Sequence, residues 1–388
     1  MREERKTKQP SDPLNTNTLN TDVYMSLKLS VIVPTFNEIE NIEEIVKRLD
    51  LTLKGVNWEV IFVDDDSPDG TARKAKEISL SDARVRCIKR IGRRGLSSAC
   101  VEGMLASSAP FLAVMDADLQ HDESILPEML NALERENFEL AVGTRYMPGG
   151  GVGDWDASRK NSSKIATVIS QKLLGVSLND PMSGFFMIKT EAFDQCAYRL
   201  SNMGFKILLD IVVSSPKKLT FKEVPFHFRQ RLAGESKLDQ RVIWDYFLLL
   251  VDKTIGRYIP TKLISFACIG AMGVVVHLLV LGMVLNILKQ PFTIAQSAAV
   301  VLAMVFNFNL NNLLTYRDQK LVGLGFWTGL VKFMLACSIG ALANVGVASF
   351  IYKDYGYWVF SGLAGVLVGV VWNYVATSLI VWPKKINK

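Results

Sequence analysis

Acidic residues all but vanish from the last third of the chain. From Thr261 onward Lys262, Lys289, Arg317, Lys320, Lys332, Lys353, Lys384, Lys385 and Lys388 are set against only Asp318 and Asp354. So lopsided a stretch argues against a soluble helical domain, whose exposed faces carry charges of both signs. Cysteine is also scarce: Cys87, Cys100, Cys196, Cys268 and Cys337 are odd in number, far apart and without a CxxC pair. That argues against a disulfide framework or a zinc site and suits a reducing compartment. His121, His227 and His277 show no ligand spacing, so a metal here has to be held by oxygen. An apolar signal-peptide core is missing from the polar residues 1–24, which are expected to be a disordered extension.

At 388 residues and 49% apolar, the chain is too long and too greasy for one compact soluble domain. Its formal charge of +6, from 44 Lys and Arg against 38 Asp and Glu, is too dispersed for a nucleic-acid binder. It suits a surface of anionic lipid instead.

Short β-branched runs alternate with amphipathic stretches in the first half. The order is Leu29–Val33 then Ile39–Leu49, Val60–Val63 then Thr71–Ile78, Val85–Ile88 then Leu96–Ala106, Phe111–Met115 then Ile125–Leu133, and finally Leu140–Val142. Such βα order predicts an α/β unit, a mostly parallel sheet with helices on both faces, and a ligand beyond the carboxyl ends of the strands. From Leu263 four apolar runs follow: Leu263–Leu288, Phe292–Leu314, Leu330–Tyr352 and Trp358–Val381. Each exceeds the roughly 20 residues that cross a hydrocarbon core. An all-α four-helix transmembrane domain is therefore expected over 261–388, after a soluble unit over 25–235 and an amphipathic interface segment over 236–260. Lys and Arg cluster on the loops next to the soluble unit, which predicts a multi-pass membrane protein with that unit and both termini in the cytoplasm.

Chemistry-bearing residues fall at the expected strand ends. Asp116 and Asp118 follow the strand Phe111–Met115 at i and i+2, so their carboxylates leave an extended backbone on one side. They can share Mg²⁺ or Mn²⁺, with Gln120 another i+2 step along; a solvated Asp-rich turn is the alternative. Asp64, Asp65, Asp66 and Asp69 crowd the segment after the second strand. Mutual repulsion there favours a binding role over a plain loop, and Thr71 is placed to cap the following helix. Pro34-Thr35-Phe36-Asn37-Glu38 forms a third loop, and the three together could enclose a nucleotide. Arg145, Arg159, Lys160 and Lys164, with Ser162 and Ser163, lie before and after the glycine-rich stretch Gly149–Gly153 as a run of cations and hydroxyls, although helix capping by Asn161 or Ser162 explains that run almost as well. Lys164–Leu174 and Leu238–Ile259 are amphipathic and suited to a headgroup layer or, alternatively, to a protein core. Polar residues within the apolar tail, His277, Asn307, Asn309, Asn344 and Asn373, are accounted for by hydrogen bonding between helices.

Val31–Glu38 (VIVPTFNE), Val63–Thr71 (VDDDSPDGT), Met115–Gln120 (MDADLQ), Gly143–Tyr146 (GTRY), Asp180–Phe185 (DPMSGF) and Arg231–Leu238 (RLAGESKL) resemble the motifs of dolichol-phosphate mannose synthases. These are inverting glycosyltransferases of family 2 with a GT-A fold, and the likeness spans about Leu29 to Leu238. The four-span tail is similar, more loosely, to small membrane proteins proposed to move polyprenyl-linked sugars across bilayers. The resemblance implies that Pro34, Phe36, Glu38, Val63 and Asp65 contact the nucleotide and that Ala117 lines the donor pocket. It implies that Asp116, Asp118 and Gln120 hold a divalent metal, and that Arg145, Arg231 and Lys237 grip phosphates or sugar. Asp118 and Arg145 then carry catalysis, while Arg145, Arg159, Ser162 and Ser163 receive the acceptor phosphate. Processive relatives carry a QxxRW-type box that this chain lacks, which implies single transfer. The substrates expected are GDP-mannose and dolichyl phosphate, with two alternatives: a UDP-glucose enzyme, or a lipid-phosphosugar transporter with a nucleotide-sensing domain.

Overall fold

The computed structural model describes residues 26–151, 157–201, 204–229, 240–256, 258–355 and 358–383. The first half alternates β1 (Leu29–Thr35), α1 (Ile42–Thr52), β2 (Trp58–Asp64), α2 (Thr71–Ser79), β3 (Val85–Lys89), α3 (Leu96–Leu105), β4 (Phe111–Val114), α4 (Leu126–Glu134) and β5 (Leu140–Thr144). Then come α5 (Ala157–Leu174), β6 (Phe186–Lys189), α6 (Thr190–Ala197), α7 (Ile207–Ser214), β7 (Phe221–Pro225) and α8 (Gln240–Thr254). The seven strands make one sheet in the order β3-β2-β1-β4-β6-β5-β7. Only β6 runs antiparallel, wedged between β4 and β5. Every residue of β1 and β2 is buried, as strands covered on both faces must be.

Because β1 pairs with β2 on one side and β4 on the other, the chain reverses its winding direction there. A crevice opens at such a point, beyond the carboxyl ends of the strands. Helices pack on both faces by ordinary spacing: Ile42, Ile45 and Leu49 of α1 enter one apolar core, while Ala99, Cys100 and Met104 of α3 enter the other. Gly103 of α3 is required by closeness, since a Cβ there would lie 2.6 Å from Ile32 Cγ2 and 2.8 Å from Val63 Cγ2.

Two details depart from expectation for a shared reason. Helix α1 starts at Ile42 rather than Ile39 because the N–H groups of Asn37, Glu38 and Ile39 donate to Ser67 Oγ, Thr71 Oγ1 and Asp69 Oδ2. Thr71 is thus the first residue of α2, after the left-handed Gly70 (φ +96°), and its hydroxyl serves a neighbouring loop instead of capping the helix.

The tail consists of α9 (Thr261–Asn286), α10 (Phe292–Leu310), α11 (Leu324–Tyr355) and α12 (Trp358–Ile380). A π-helical turn, Asn311–Thr315, extends α10. Among the described residues, α9, α10 with its π turn, and Leu324–Asn344 of α11 are long and apolar enough to cross a membrane. Helix α12 has 23 residues and coincides with the fourth apolar run. Asn307 packs on Gly273, Asn373 on Gly340 and Asn344 on Gly369. The expected bonds between helices are not seen here: Asn307 Oδ1 and Asn373 Oδ1 have no partner among the described residues, and Asn309 donates to Val305 of its own helix.

Candidate active site

Three loops meet at the crevice, held level by the sheet register. Thr35 is the Cα partner of Asp64, and Pro34 that of Val63. The Asp65 N–H donates to the Thr35 carbonyl at 3.1 Å, and the Met115 N–H to the Ile32 carbonyl at 3.1 Å. Each loop holds one non-glycine residue at positive φ: Asn37 (58°), Asp66 (58°) and Leu119 (60°). Asn and Asp tolerate that region, but Leu119 carries strain of about 1 kcal/mol and is fixed there by its own burial. Strain of this kind gathers at functional sites.

The acidic run after β2 divides its labour. Asp64 is fully buried and accepts from the Ser67 hydroxyl (2.5 Å), the Ser67 N–H (2.9 Å) and Thr35 Oγ1 (3.2 Å). Asp69 accepts from the Thr71 hydroxyl (2.6 Å), the Thr71 N–H (2.9 Å) and the Ile39 N–H. Burial alone would raise the Asp69 carboxyl, but these donors outweigh it and hold it below the ordinary value. Asp66 pairs with Lys89 at 2.8 Å. Asp64 and Asp69 therefore shape the loop, a structural use where the crowding of acids had favoured a binding one.

Asp65 is different. Its Oδ1 accepts from Arg90 Nη1 at 2.6 Å and its Oδ2 from the Gly95 N–H at 2.7 Å. Burial pushes its carboxyl up, against the pull of the Gly95 N–H and the Arg90 charge. Arg90, 3% exposed, was not among the residues expected here, for its partner lies 25 positions away. Glu38 accepts from the Asn41 side chain at 2.8 Å, and Phe36 lies under the Arg94 guanidinium.

After β4, Asp116 is about one-third exposed and Asp118 is buried, its Oδ1 accepting from the Gln120 N–H. His121 backs this loop. Its Nδ1 accepts from the Asp116 N–H at 3.0 Å, its Nε2 lies 3.7 Å from Asp116 Oδ2, and its ring stacks on Phe185 at 5.0 Å. A Cβ on Gly184 would lie 3.2 Å from Asp116 Oδ2, so the glycine leaves that oxygen room. No group of three His, Cys, Asp or Glu able to hold a metal occurs among the described residues. The donors present, two carboxylates and the Gln120 amide oxygen, suit a hard cation that completes its shell with substrate phosphate. The Gln120 side-chain nitrogen is engaged, donating to the Arg229 carbonyl at 3.0 Å.

Arg145 closes on Asp180 with two hydrogen bonds, Nε to Oδ2 at 2.7 Å and Nη2 to Oδ1 at 2.8 Å. Asp180 is fully buried. Burial disfavours the Arg145 cation, yet the Asp180 bonds and charge prevail and raise its pKa. The guanidinium also lies 5.5 Å from the Tyr146 ring and 5.6 Å from that of Phe228. Two motifs 35 residues apart are thereby joined. Pro34, Val63 and Ala117 are buried at the crevice floor. Arg231 and Lys237 lie outside the described residues. Arg159, Ser162 and Ser163 fall within α5, but their side chains, too, lie outside what is described.

Beside the crevice, Tyr246 of α8 bonds the Ala166 carbonyl (2.8 Å) and Ser170 Oγ (2.9 Å) of α5. These two helices leave Val168, Ile169, Leu173, Ile243 and Phe247 exposed, an apolar edge of the kind that enters a headgroup layer. Helix α8 is anchored at both ends. Lys253 pairs with the buried Asp210 of α7 at 2.5 Å, and Asp245 accepts both bonds of Arg317, from the turn between α10 and α11.

Residues 30–196 match the family described as glycosyl transferase family 2, and residues 265–382 match the GtrA/DPMS transmembrane domain. The dolichol-phosphate mannosyltransferase of Pyrococcus furiosus is 35% identical over 358 residues, 92% of this chain and 99% of its own length. That of Saccharomyces cerevisiae is 36% identical over 251 residues, 62% of this chain and 92% of its own. A solved glucosyl-3-phosphoglycerate synthase from Mycobacterium tuberculosis covers 59% of this chain and 80% of its own at TM-score 0.43 and 17% identity, a likeness too remote to carry weight. Near-complete alignment at that identity, through the crevice motifs and the membrane helices alike, places the chain in the dolichol-phosphate mannosyltransferase family of membrane-bound glycosyltransferases.

Proposed function

We propose that this enzyme transfers mannose from GDP-mannose to dolichyl phosphate at the cytoplasmic face of a membrane, with inversion at C1. The observation that carries the reading is the placing of Asp116 and Asp118 past β4, where the strand order reverses, with Gly184 keeping the Asp116 carboxylate clear. Asp116, Asp118 and Gln120 would hold Mg²⁺ or Mn²⁺. Such an ion neutralises charge on the departing diphosphate. Pro34, Phe36, Glu38, Val63 and Asp65 would receive the nucleoside, with Ala117 beneath the sugar.

The acceptor phosphate is already anionic near neutral pH, so no general base is required. One of its oxygens bonds to C1 as the bond from C1 to the diphosphate breaks, and that electron pair departs with GDP. Two anions must approach each other, which makes cationic positioning the main task of the protein. Arg231 and Lys237 are assigned to the diphosphate, and Arg145, Arg159, Ser162 and Ser163 to the acceptor. The Asp180 bonds hold the Arg145 guanidinium in one orientation, supporting a fixed place for it in the wall. We assign residues 25–235 to catalysis, 236–260 to the membrane interface and 261–388 to the membrane.

The decisive assay supplies radiolabelled GDP-mannose and a short dolichyl phosphate to the full-length protein and extracts product into organic solvent. Label should enter the organic phase with Mg²⁺ or Mn²⁺ and stay aqueous with chelator. Asp118→Asn should abolish transfer while leaving the thermal midpoint without nucleotide nearly unchanged. Transfer from UDP-glucose in preference to GDP-mannose, or full turnover by Asp118→Asn, overturns the reading.

A further inference from the structure

The segment leaving β3 carries four cations, Lys89, Arg90, Arg93 and Arg94. Three of them have carboxylates: Lys89 pairs with Asp66, Arg90 with Asp65 and Glu102, and Arg93 with Glu102. Arg94 is exposed and has no carboxylate partner among the described residues. It lies over the Phe36 ring instead, 4.4 Å from the centroid. Stacking of this sort restrains the guanidinium while leaving its rim of N–H donors open.

The sheet order decides what those donors meet. In the order β3-β2-β1-β4, Phe36 belongs to the loop after β1 and Asp65 to the loop after β2, while the paired carboxylates follow β4. The paired carboxylates stand at the β4 end, so the diphosphate belongs there. Arg94 leaves β3 next to Gly95, whose N–H holds Asp65, and its guanidinium reaches across to Phe36, so it stands among the residues assigned to the nucleoside and not among the metal-holding carboxylates. A nucleoside diphosphate laid across the crevice would thus bring its base, and not its phosphates, to Arg94.

We propose that Arg94 is a base-reading residue that selects guanine over uracil. Guanine presents O6 and N7, two acceptors on one edge, which match the guanidinium fork; uracil has no such pair. This assignment rests on the reading of the crevice as the nucleotide site.

Titration of the full-length protein with GDP, 7-deaza-GDP and UDP in the presence of Mg²⁺ tests it. The 7-deaza base lacks only the N7 acceptor. The unmodified enzyme should bind GDP about tenfold tighter than either analogue, the discrimination ordinarily supplied by one bidentate pair. Arg94→Leu, which keeps an apolar contact on Phe36, should bind GDP and 7-deaza-GDP alike, more weakly than the unmodified enzyme binds GDP, and leave UDP unchanged. Arg94→Lys should fall between them. Equal weakening of GDP and UDP, or a GDP preference that survives Arg94→Leu, overturns the assignment while leaving the crevice reading intact. Failure of the unmodified enzyme to bind any of the three sinks both.

Discussion

Gln120 and Arg229 are bonded to each other twice: the Gln120 side-chain amide donates to the Arg229 carbonyl at 3.0 Å, and the Arg229 N–H donates to the Gln120 carbonyl at 2.9 Å. The Arg229 guanidinium also holds Asp122 and Glu123. The acidic loop after β4 and the strand exit leading to Arg231 and Lys237 are thereby one mechanical unit. Gln120→Ala removes one of the two bonds from a buried position, so stability should fall by about 1 kcal/mol. Turnover should fall by about tenfold or more, because misplacing catalytic groups weakens transition-state contacts disproportionately. Thermal unfolding and kcat on the same preparation check this; an unaltered kcat would mean that the side chain has no part in placing the loop.

Asp180 is fully buried and its only cationic partner among the described residues is Arg145. Asp180→Ala leaves a buried guanidinium without its counter-charge, at a cost of about 3–5 kcal/mol in denaturant unfolding. Adding Arg145→Met should recover part of that loss, since an apolar side chain needs no partner, while transfer stays abolished. Recovery of stability together with activity would remove Arg145 from the reaction.

Asp69 supplies a pH dependence. Its native carboxyl lies below the ordinary value, so the folded state binds fewer protons there than the unfolded chain. The stabilisation is complete above the unfolded pKa and is lost as pH falls through the native one. In thermal melts, the advantage of the unmodified protein over Asp69→Ala should be full at about pH 6 and shrink towards about pH 3. An advantage that grows on acidification would contradict the hydrogen-bond geometry around Thr71 and Ile39.

Asp245 of α8 is buried, faces Arg317 in the turn between α10 and α11, and has its Cβ beside Gly204. Arg317→Ala should leave that carboxylate short of donors at about 1–3 kcal/mol and loosen α8 from the bundle. Limited proteolysis near residues 255–260 should speed up, and the exchange Asp245→Arg with Arg317→Asp should slow it again. Unchanged proteolysis in Arg317→Ala would show that the pair does not fasten the two parts together.

Much of the site was legible because its signals are local. The i, i+2 carboxylates Asp116 and Asp118, the strand before them and the apolar spans are all set by periodicity within some twenty residues. The strands β6 and β7 were not legible. Phe186–Lys189 is too short for a pattern, and Phe221–Pro225 sits half-exposed at the sheet edge. Nor was the division of labour among Asp64, Asp65, Asp66 and Asp69, since adjacent carboxylates are distinguished only by the donors that reach them.

By itself the sequence determined a βα-wound unit with acids at its strand ends and a tail fit only for lipid, because burial and hydrogen-bonding demands act residue by residue along the chain. Only the tertiary structure decided that Arg90 belongs to Asp65, Arg145 to Asp180, Arg229 to Asp122 and Glu123, and Arg317 to Asp245. Charge attraction specifies no partner by sequence distance, so those pairings wait until packing has chosen which elements touch.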